Sequence, residues 1–255
     1  TPGALEDYGI KESEYETEKN TESFKVKINR ANIEIPYVKT EMKPGKIGYL
    51  SVVQFAEEVG KKVETAIKKM KKQGAKGIIL DLRNNPGGLL TQAVNVASNF
   101  IDQGRIVSVK QRTGKERVLE VNNDIKTIDL PLIVLINGGS ASASEIVSAA
   151  VKDYDRGRIV GTKTFGKGTV QTVVPLEDGS AMRITTARYY TPSGKSIHEK
   201  GIKPDLKIKY NPDYDGDIQL DKAIKLLNSN YKMKDNDEKT HWYERSLGNW
   251  LQEQF

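Results

Sequence analysis

The chain contains no cysteine, so disulfides, thiol nucleophiles and thiolate metal sites are excluded together. That absence leaves the compartment open, because a cysteine-free chain is stable in reducing and oxidising surroundings alike. Histidine is almost as scarce. His198 and His241 are the only two, which excludes a metal centre built from several histidines, and no cofactor is implied. No apolar run approaches the ~18 residues that span a bilayer. Thr1–Lys11 lacks the basic start and apolar stretch of a secretory leader, so no targeting segment is expected there. Only 22 Gly and 9 Pro occur in 255 residues, which excludes collagen-like and elastin-like chains. What remains, 37% hydrophobic and 29% charged, is a globular composition long enough for one large domain or two small ones.

One excess stands out: a net charge of +6. Residues 61–76 hold seven lysines (61, 62, 68, 69, 71, 72 and 76) against the single acid Glu64, and the rest of the chain is electrically balanced. A surplus confined to one helix reads first as a solvated face, and second as a docking surface for an anionic ligand. Nucleic acid is not expected as a partner.

Residues 1–23 are polar and acidic and read as a tail or linker. Residues 24–45 carry two alternating stretches, Phe24–Ile28 and Ile33–Ile35, expected as half-buried strands joining to the core. From Lys46 to Tyr210 strands and helices alternate. Strands are expected at Ile47–Val53, Gly77–Leu82, Arg105–Val109, Arg117–Val121, Pro131–Ile136, Arg158–Thr162, Val170–Pro175, Met182–Arg188 and Leu206–Tyr210. Helical stripes run through Val59, Val63, Ile67 and Met70, then Leu90 to Ile101, then Ile146 to Tyr154. GIILDL and PLIVLI are continuously apolar, as for strands covered on both faces. The expected fold is therefore α/β, with a core over 46–210 covered by helices on both sides. Residues 211–255 form a C-terminal extension, with a helix at Leu220–Leu227 and a polar tail up to Trp242 and Trp250.

Three segments carry chemistry. After PLIVLI comes Asn137-Gly138-Gly139-Ser140-Ala141-Ser142-Ala143-Ser144-Glu145, where a strand ends and a helix begins. Sites in open α/β sheets gather at such strand ends. Unpaired N–H groups at a helix start suit a developing oxyanion. Ser142-x-x-Glu145 is also a capping box, which many ordinary helices possess. A serine hydroxyl needs a base, and neither histidine lies in a supporting pattern. Lys167, in Phe165-Gly166-Lys167-Gly168-Thr169-Val170-Gln171, is the best-placed lysine, provided that burial lowers its pKa. Gln171, four residues on, would share its face of a strand. The third segment, Asp81-Leu82-Arg83-Asn84-Asn85-Pro86-Gly87-Gly88-Leu89, again joins a buried strand to a helix, and its paired glycines permit an N–H to face a ligand.

Taken together, NNPGG, GSASASE, TFGKGTVQT and DGSAMRITTARYYTPSGKSIHEKGIKPD closely resemble the carboxyl-terminal processing peptidases of family S41, over roughly Ile47 to Leu206. The resemblance implies a crotonase-like or ClpP-like core of mixed sheets. It implies a Ser-Lys dyad in which Ser142 is the nucleophile, Lys167 its general base and Gln171 the support of that lysine. The oxyanion donors would be the backbone N–H groups of Gly88 and Ala143. It also implies polypeptide substrates cut near their carboxyl termini, an extracytoplasmic location, and substrates or regulators associated with membranes; a homo-oligomer is left open. Family members carry a PDZ domain of about 80–100 residues before the core. The 45 residues before Lys46 have no glycine-rich carboxylate-binding loop and are not expected to hold one.

Another enzyme class competes at one segment. Gly161-Thr162-Lys163-Thr164-Phe165-Gly166-Lys167-Gly168 nearly fits the phosphate-loop pattern, with Asp81 imitating its metal-binding acid, but Gly168 replaces the required hydroxyl. A phosphate loop must also open a helix, whereas β-patterned residues follow here.

Overall fold

The computed structural model describes residues 36–233, so the expected strands at Phe24–Ile28 and Ile33–Ile35, and Trp242, Trp250 and His241, lie outside the described residues. Ten strands and four helices follow in order: β1 (Val38–Lys43), β2 (Ile47–Val52), α1 (Val59–Lys72), β3 (Gly77–Asp81), α2 (Leu90–Ser98), β4 (Arg105–Gln111), β5 (Glu116–Glu120), β6 (Leu132–Ile136), α3 (Ala143–Asp153), β7 (Arg158–Gly161), β8 (Thr169–Pro175), β9 (Ala181–Tyr190), β10 (Leu206–Lys207) and α4 (Ile218–Met233). They build a six-stranded sheet in the order β1-β2-β3-β6-β7-β10 and a four-stranded sheet in the order β5-β4-β9-β8. In the larger sheet only the β1–β2 pair is antiparallel.

The continuous apolar runs have the expected cause. In β3, Ile78 and Leu80 face a core shared with Val63, Ile67 and Met70 of α1, Ala93 and Ala97 of α2, and Ile146 and Ala150 of α3. Ile79 between them points the other way, into a second core with Ile47, Ile133, Leu135 and Val160 under Ala223 and Leu227 of α4. Alternate residues of one strand thus feed opposite cores, so every position must be apolar. Each such Leu or Ile contributes about 1.5–3 kcal/mol by leaving water. The smaller sheet is different: β8 is exposed from Gln171 to Pro175, and Val173, Val174, Met182 and Ile184 all meet solvent.

On α1 the buried residues Val59, Val63, Ile67 and Met70 face the sheet, and Lys61, Lys62, Lys68, Lys69, Lys71 and Lys72 are exposed. Lys68 pairs with Glu64 one turn earlier. The lysine excess is a solvated helix face.

Two elements depart from expectation. β1 is an edge strand whose Lys39, Thr40 and Glu41 are exposed, so it buries too little to show an apolar alternation. β10 stops at Lys207 rather than running to Tyr210. Ile208 still donates to Gly161, but its carbonyl is taken by the Gln219 side chain, and the chain turns into α4.

The start of α4 is fastened to the end of β3 by one arginine. Arg83 donates to both carboxylate oxygens of Asp81 and of Asp217. Asp217 also caps α4 by accepting the N–H groups of Gln219 and Leu220. Burial works against the Arg83 charge, but the bonds to Asp81 and Asp217 outweigh it and hold the guanidinium above its usual range. Tyr49 donates to Asp81, and burial followed by that carboxylate pushes its hydroxyl up to about 12. Burial pulls Asp217 upward, yet the hydrogen bond from Arg83 and the N–H groups of α4 leave it below 3.8. A depressed carboxyl contributes stability above its unfolded value and loses it as pH falls through the folded value. Asp217→Asn is therefore expected to melt lower than the wild type at pH 7, with the gap closing below pH 3.8. Paired thermal melts from pH 7 to pH 2.5 check this; a gap independent of pH would refute it.

Candidate active site

β3 and β6 are adjacent and parallel, so the loops that leave their carboxyl ends emerge side by side. Hydrogen bonds from buried groups then sew them together. Asn85 is fully buried: its amide donates to Val52 O, its side-chain oxygen accepts from Gly87 N–H, and its backbone oxygen accepts from Ala141 N–H and Ser144 Oγ. Nothing in the sequence distinguishes Asn85 from Asn84 beside it. Asn84 is exposed and pairs with the Asn137 amide.

The three serines separate cleanly. Ser140 is fully buried, with its hydroxyl donating to Leu82 O at 2.7 Å and accepting from Asn137 N–H at 3.0 Å. Ser144 is fully buried, with its hydroxyl on Asn85 O at 2.9 Å. Both are committed to holding the loops. Ser142 is partly exposed at the head of α3, at φ 54° and ψ −111°. A non-glycine residue there carries strain of roughly 1–3 kcal/mol, a feature that clusters at functional sites. It resembles the sharp strand-to-helix turn that lifts a nucleophile above an α/β sheet.

The paired glycines pack against this turn. A Cβ on Gly87 would lie 2.8 Å from Ser142 Cβ, and one on Gly88, at φ 145°, would lie 2.4 Å from Phe55 O. Neighbouring bonds run from Phe55 N–H to Gly87 O and from Leu89 N–H to Phe55 O, which leaves the N–H of Gly88 between them without a partner. The N–H of Ala143, first in α3, has none either among the described residues. Two free N–H groups therefore flank the serine turn.

The loop bearing Lys167 is held to the same turn. Phe165 N–H donates to Ser140 O, and Glu145 in α3 accepts the N–H of Gly166 at 2.7 Å and of Lys167 at 2.8 Å. The Lys167 side chain itself is exposed, contrary to the burial expected from its apolar neighbours. The loop precedes β8, whose Val170 packs against the main core while Gln171 to Pro175 are exposed. Because β8 starts at Thr169, Lys167 lies before the strand and does not share a strand face with Gln171, which is exposed on β8. The strand at Thr169 also disposes of the phosphate-loop reading, since no helix follows Gly168.

His198 was not marked by any local pattern, yet its backbone lies against this loop: a Cβ on Gly168 would come within 2.2 Å of His198 N. Glu199 N–H donates to Gly166 O. The His198 Nδ1 atom is buried without a partner, and Nε2 is 3.8 Å from Glu199. Only a long-range contact brings it here, so periodicity gave no sign of it.

Residues 46–208 match the profile of peptidase family S41. The chain is 47% identical over 192 residues to the carboxy-terminal-processing protease of Bartonella bacilliformis, covering 72% of this chain and 43% of that protein. It is 43% identical over 188 residues to the carboxy-terminal processing protease CtpA of Bacillus subtilis, covering 73% of this chain and 40% of the relative. Among solved structures, a photosystem II D1 C-terminal processing protease superposes with a TM-score of 0.66 at 35% identity, over 78% of this chain and 54% of that one. The matched region thus spans about two fifths of the length of each of these two curated relatives.

The serine geometry makes a stability prediction of opposite signs. Ser140→Ala removes a buried hydroxyl from two backbone partners and is expected to cost about 1–3 kcal/mol. Ser142→Gly relieves the positive φ, and the relief exceeds the ~0.5–1 kcal/mol that a glycine loses in chain entropy. Denaturant titration is expected to place Ser140→Ala below the wild type and Ser142→Gly above it. Equal losses in both would remove the distinction between the serines.

Proposed function

The chain belongs to peptidase family S41, and from that premise we propose that it is a serine endopeptidase acting on extended polypeptide near the carboxyl terminus. The single observation that carries this reading is the strained, partly exposed Ser142 between two unpartnered N–H groups, on a turn tied to the Lys167 loop.

In the proposed reaction Ser142 Oγ bonds to the substrate carbonyl carbon while the Lys167 amine takes the hydroxyl proton. The family resemblance assigns Gln171, on β8, the support of that lysine. The oxyanion is stabilised by the N–H groups of Gly88 and Ala143; one such donor is worth about 3–4 kcal/mol in a comparable site. Lys167 returns the proton to the leaving amine as the C–N bond breaks, leaving an acyl-enzyme. Water, deprotonated by Lys167, then releases the acid and restores Ser142.

Substrate is proposed to add as a strand to β8, the edge of the smaller sheet directly after Lys167. The family resemblance further suggests an extracytoplasmic location and membrane-associated substrates. Among the described residues no helix is long and apolar enough to cross a membrane.

Cleavage of casein by wild type, Ser142→Ala and Lys167→Ala, with products identified by mass, tests the dyad. Both variants are expected to be folded and to have lost activity. Cleavage surviving in folded Ser142→Ala would refute the assignment. Proline placed at successive positions of a peptide substrate is expected to block cleavage near the cut; tolerance at every position would overturn strand addition.

A further inference from the structure

Glu145 is fully buried in the first turn of α3. Its two oxygens collect four donors and no ion pair among the described residues. Oε2 accepts the N–H of Ser142 at 2.9 Å and the N–H of Lys167 at 2.8 Å. Oε1 accepts the Thr164 hydroxyl at 2.5 Å and the N–H of Gly166 at 2.7 Å. Thr164, itself buried, accepts Ile202 N–H at 2.6 Å and so passes the anchorage to the segment that carries His198.

Helix capping accounts for only one of these bonds. Of the bonds to the Glu145 carboxylate, a capping box uses only that from the Ser142 N–H. The other three reach 19, 21 and 22 residues along the chain, to the loop that bears the lysine. Among the described residues no other acceptor is bonded by the Ser142 and Lys167 backbones together, and one oxygen atom serves both. The separation of those two backbones is therefore fixed within two hydrogen-bond lengths, although the Lys167 side chain is exposed and β8 packs loosely.

We infer that Glu145 is a positioning residue that sets the register between Ser142 and Lys167, and that it does so by hydrogen-bond geometry and not by pairing with a cation. The inference rests on the proposed dyad. Glu145→Gln keeps the volume but replaces one acceptor oxygen with an amide NH2 that faces two donors, so one pair of bonds must break. A misplacement of about 1 Å between reacting groups costs on the order of 10²-fold in rate.

The experiment measures the rate of Ser142 labelling by a fluorophosphonate, with kcat and KM for a peptide substrate, on wild type, Glu145→Gln, Glu145→Asp and Thr164→Val, each well below its melting temperature. Thr164→Val removes a bond to Oε1 but leaves both bonds to Oε2. The expected result is that Glu145→Gln loses about 10²-fold in labelling rate and in kcat, with KM unchanged. Thr164→Val is expected to melt lower yet to label within tenfold of wild type. Glu145→Asp, with its carboxylate one methylene short, is expected to fold and fall between them. The inference is overturned if a folded Glu145 variant labels at the wild-type rate, if Thr164→Val loses rate in step with Glu145→Gln, or if neither Glu145 variant folds. Failure of the underlying dyad looks different: wild type would then carry no label on Ser142, or Ser142→Ala would still cleave.

Discussion

The parallel pairing of β3 with β6 is the constraint on which the site depends. Two strands that run the same way, side by side, must release their following loops at the same end of the sheet. With Asp81 opposite Leu135 in the register, the glycine turn and the serine turn are neighbours before any side chain acts. The pairing is in turn fixed by burial on both faces, because slipping β3 by one residue would send Ile78 and Leu80 into the opposite core and Ile79 into theirs. Hydrophobic packing thus supplies the coarse position of the proposed nucleophile, some fifty residues from the glycines beside it.

Fine position comes from buried polar groups. Asn85 and Glu145 are both wholly inside, and each has its hydrogen-bonding capacity spent on backbone from more than one segment. Such groups are expensive to bury and are tolerated when every atom is satisfied. Their geometry holds Ser142 in a conformation it would not adopt alone. Ser140 and Ser144 serve the same scaffold, so two of three chemically identical hydroxyls are withdrawn from reaction and one remains.

Much of this was legible in the sequence, and the boundary between the legible and the illegible is physical. GIILD and PLIVLI announce strands covered on both faces because burial leaves a periodic trace. Ser142, Lys167 and the glycines stood out through motifs at the ends of those strands. Asn85 and Glu145 did not, beyond the capping box, because a buried acceptor is defined by donors from distant segments and has no period. His198 was missed for the same reason. The exposure of Lys167 escaped too: glycines and apolar neighbours look alike whether a loop is buried or leads out to a strand that meets solvent. β1 was invisible because an edge strand of Val38, Lys39, Thr40, Glu41, Met42 and Lys43 pairs through its backbone while its side chains stay largely in water.

The exposed β8–β9 hairpin separates the two halves of the proposed dyad in mechanical terms. Ser142 sits on a helix whose removal would dismantle the main core, whereas the lysine leads into an arm with Val173, Val174, Met182 and Ile184 already in water. Fraying of its far end forfeits little hydrophobic burial and draws on a smaller free energy than global unfolding, whereas its base, with Val170, Ala187 and Tyr189, stays on the core. The Lys167 loop is tied to Glu145 and Ser140 by its own backbone, so looseness at the far end of the hairpin is separated from the serine turn by those bonds.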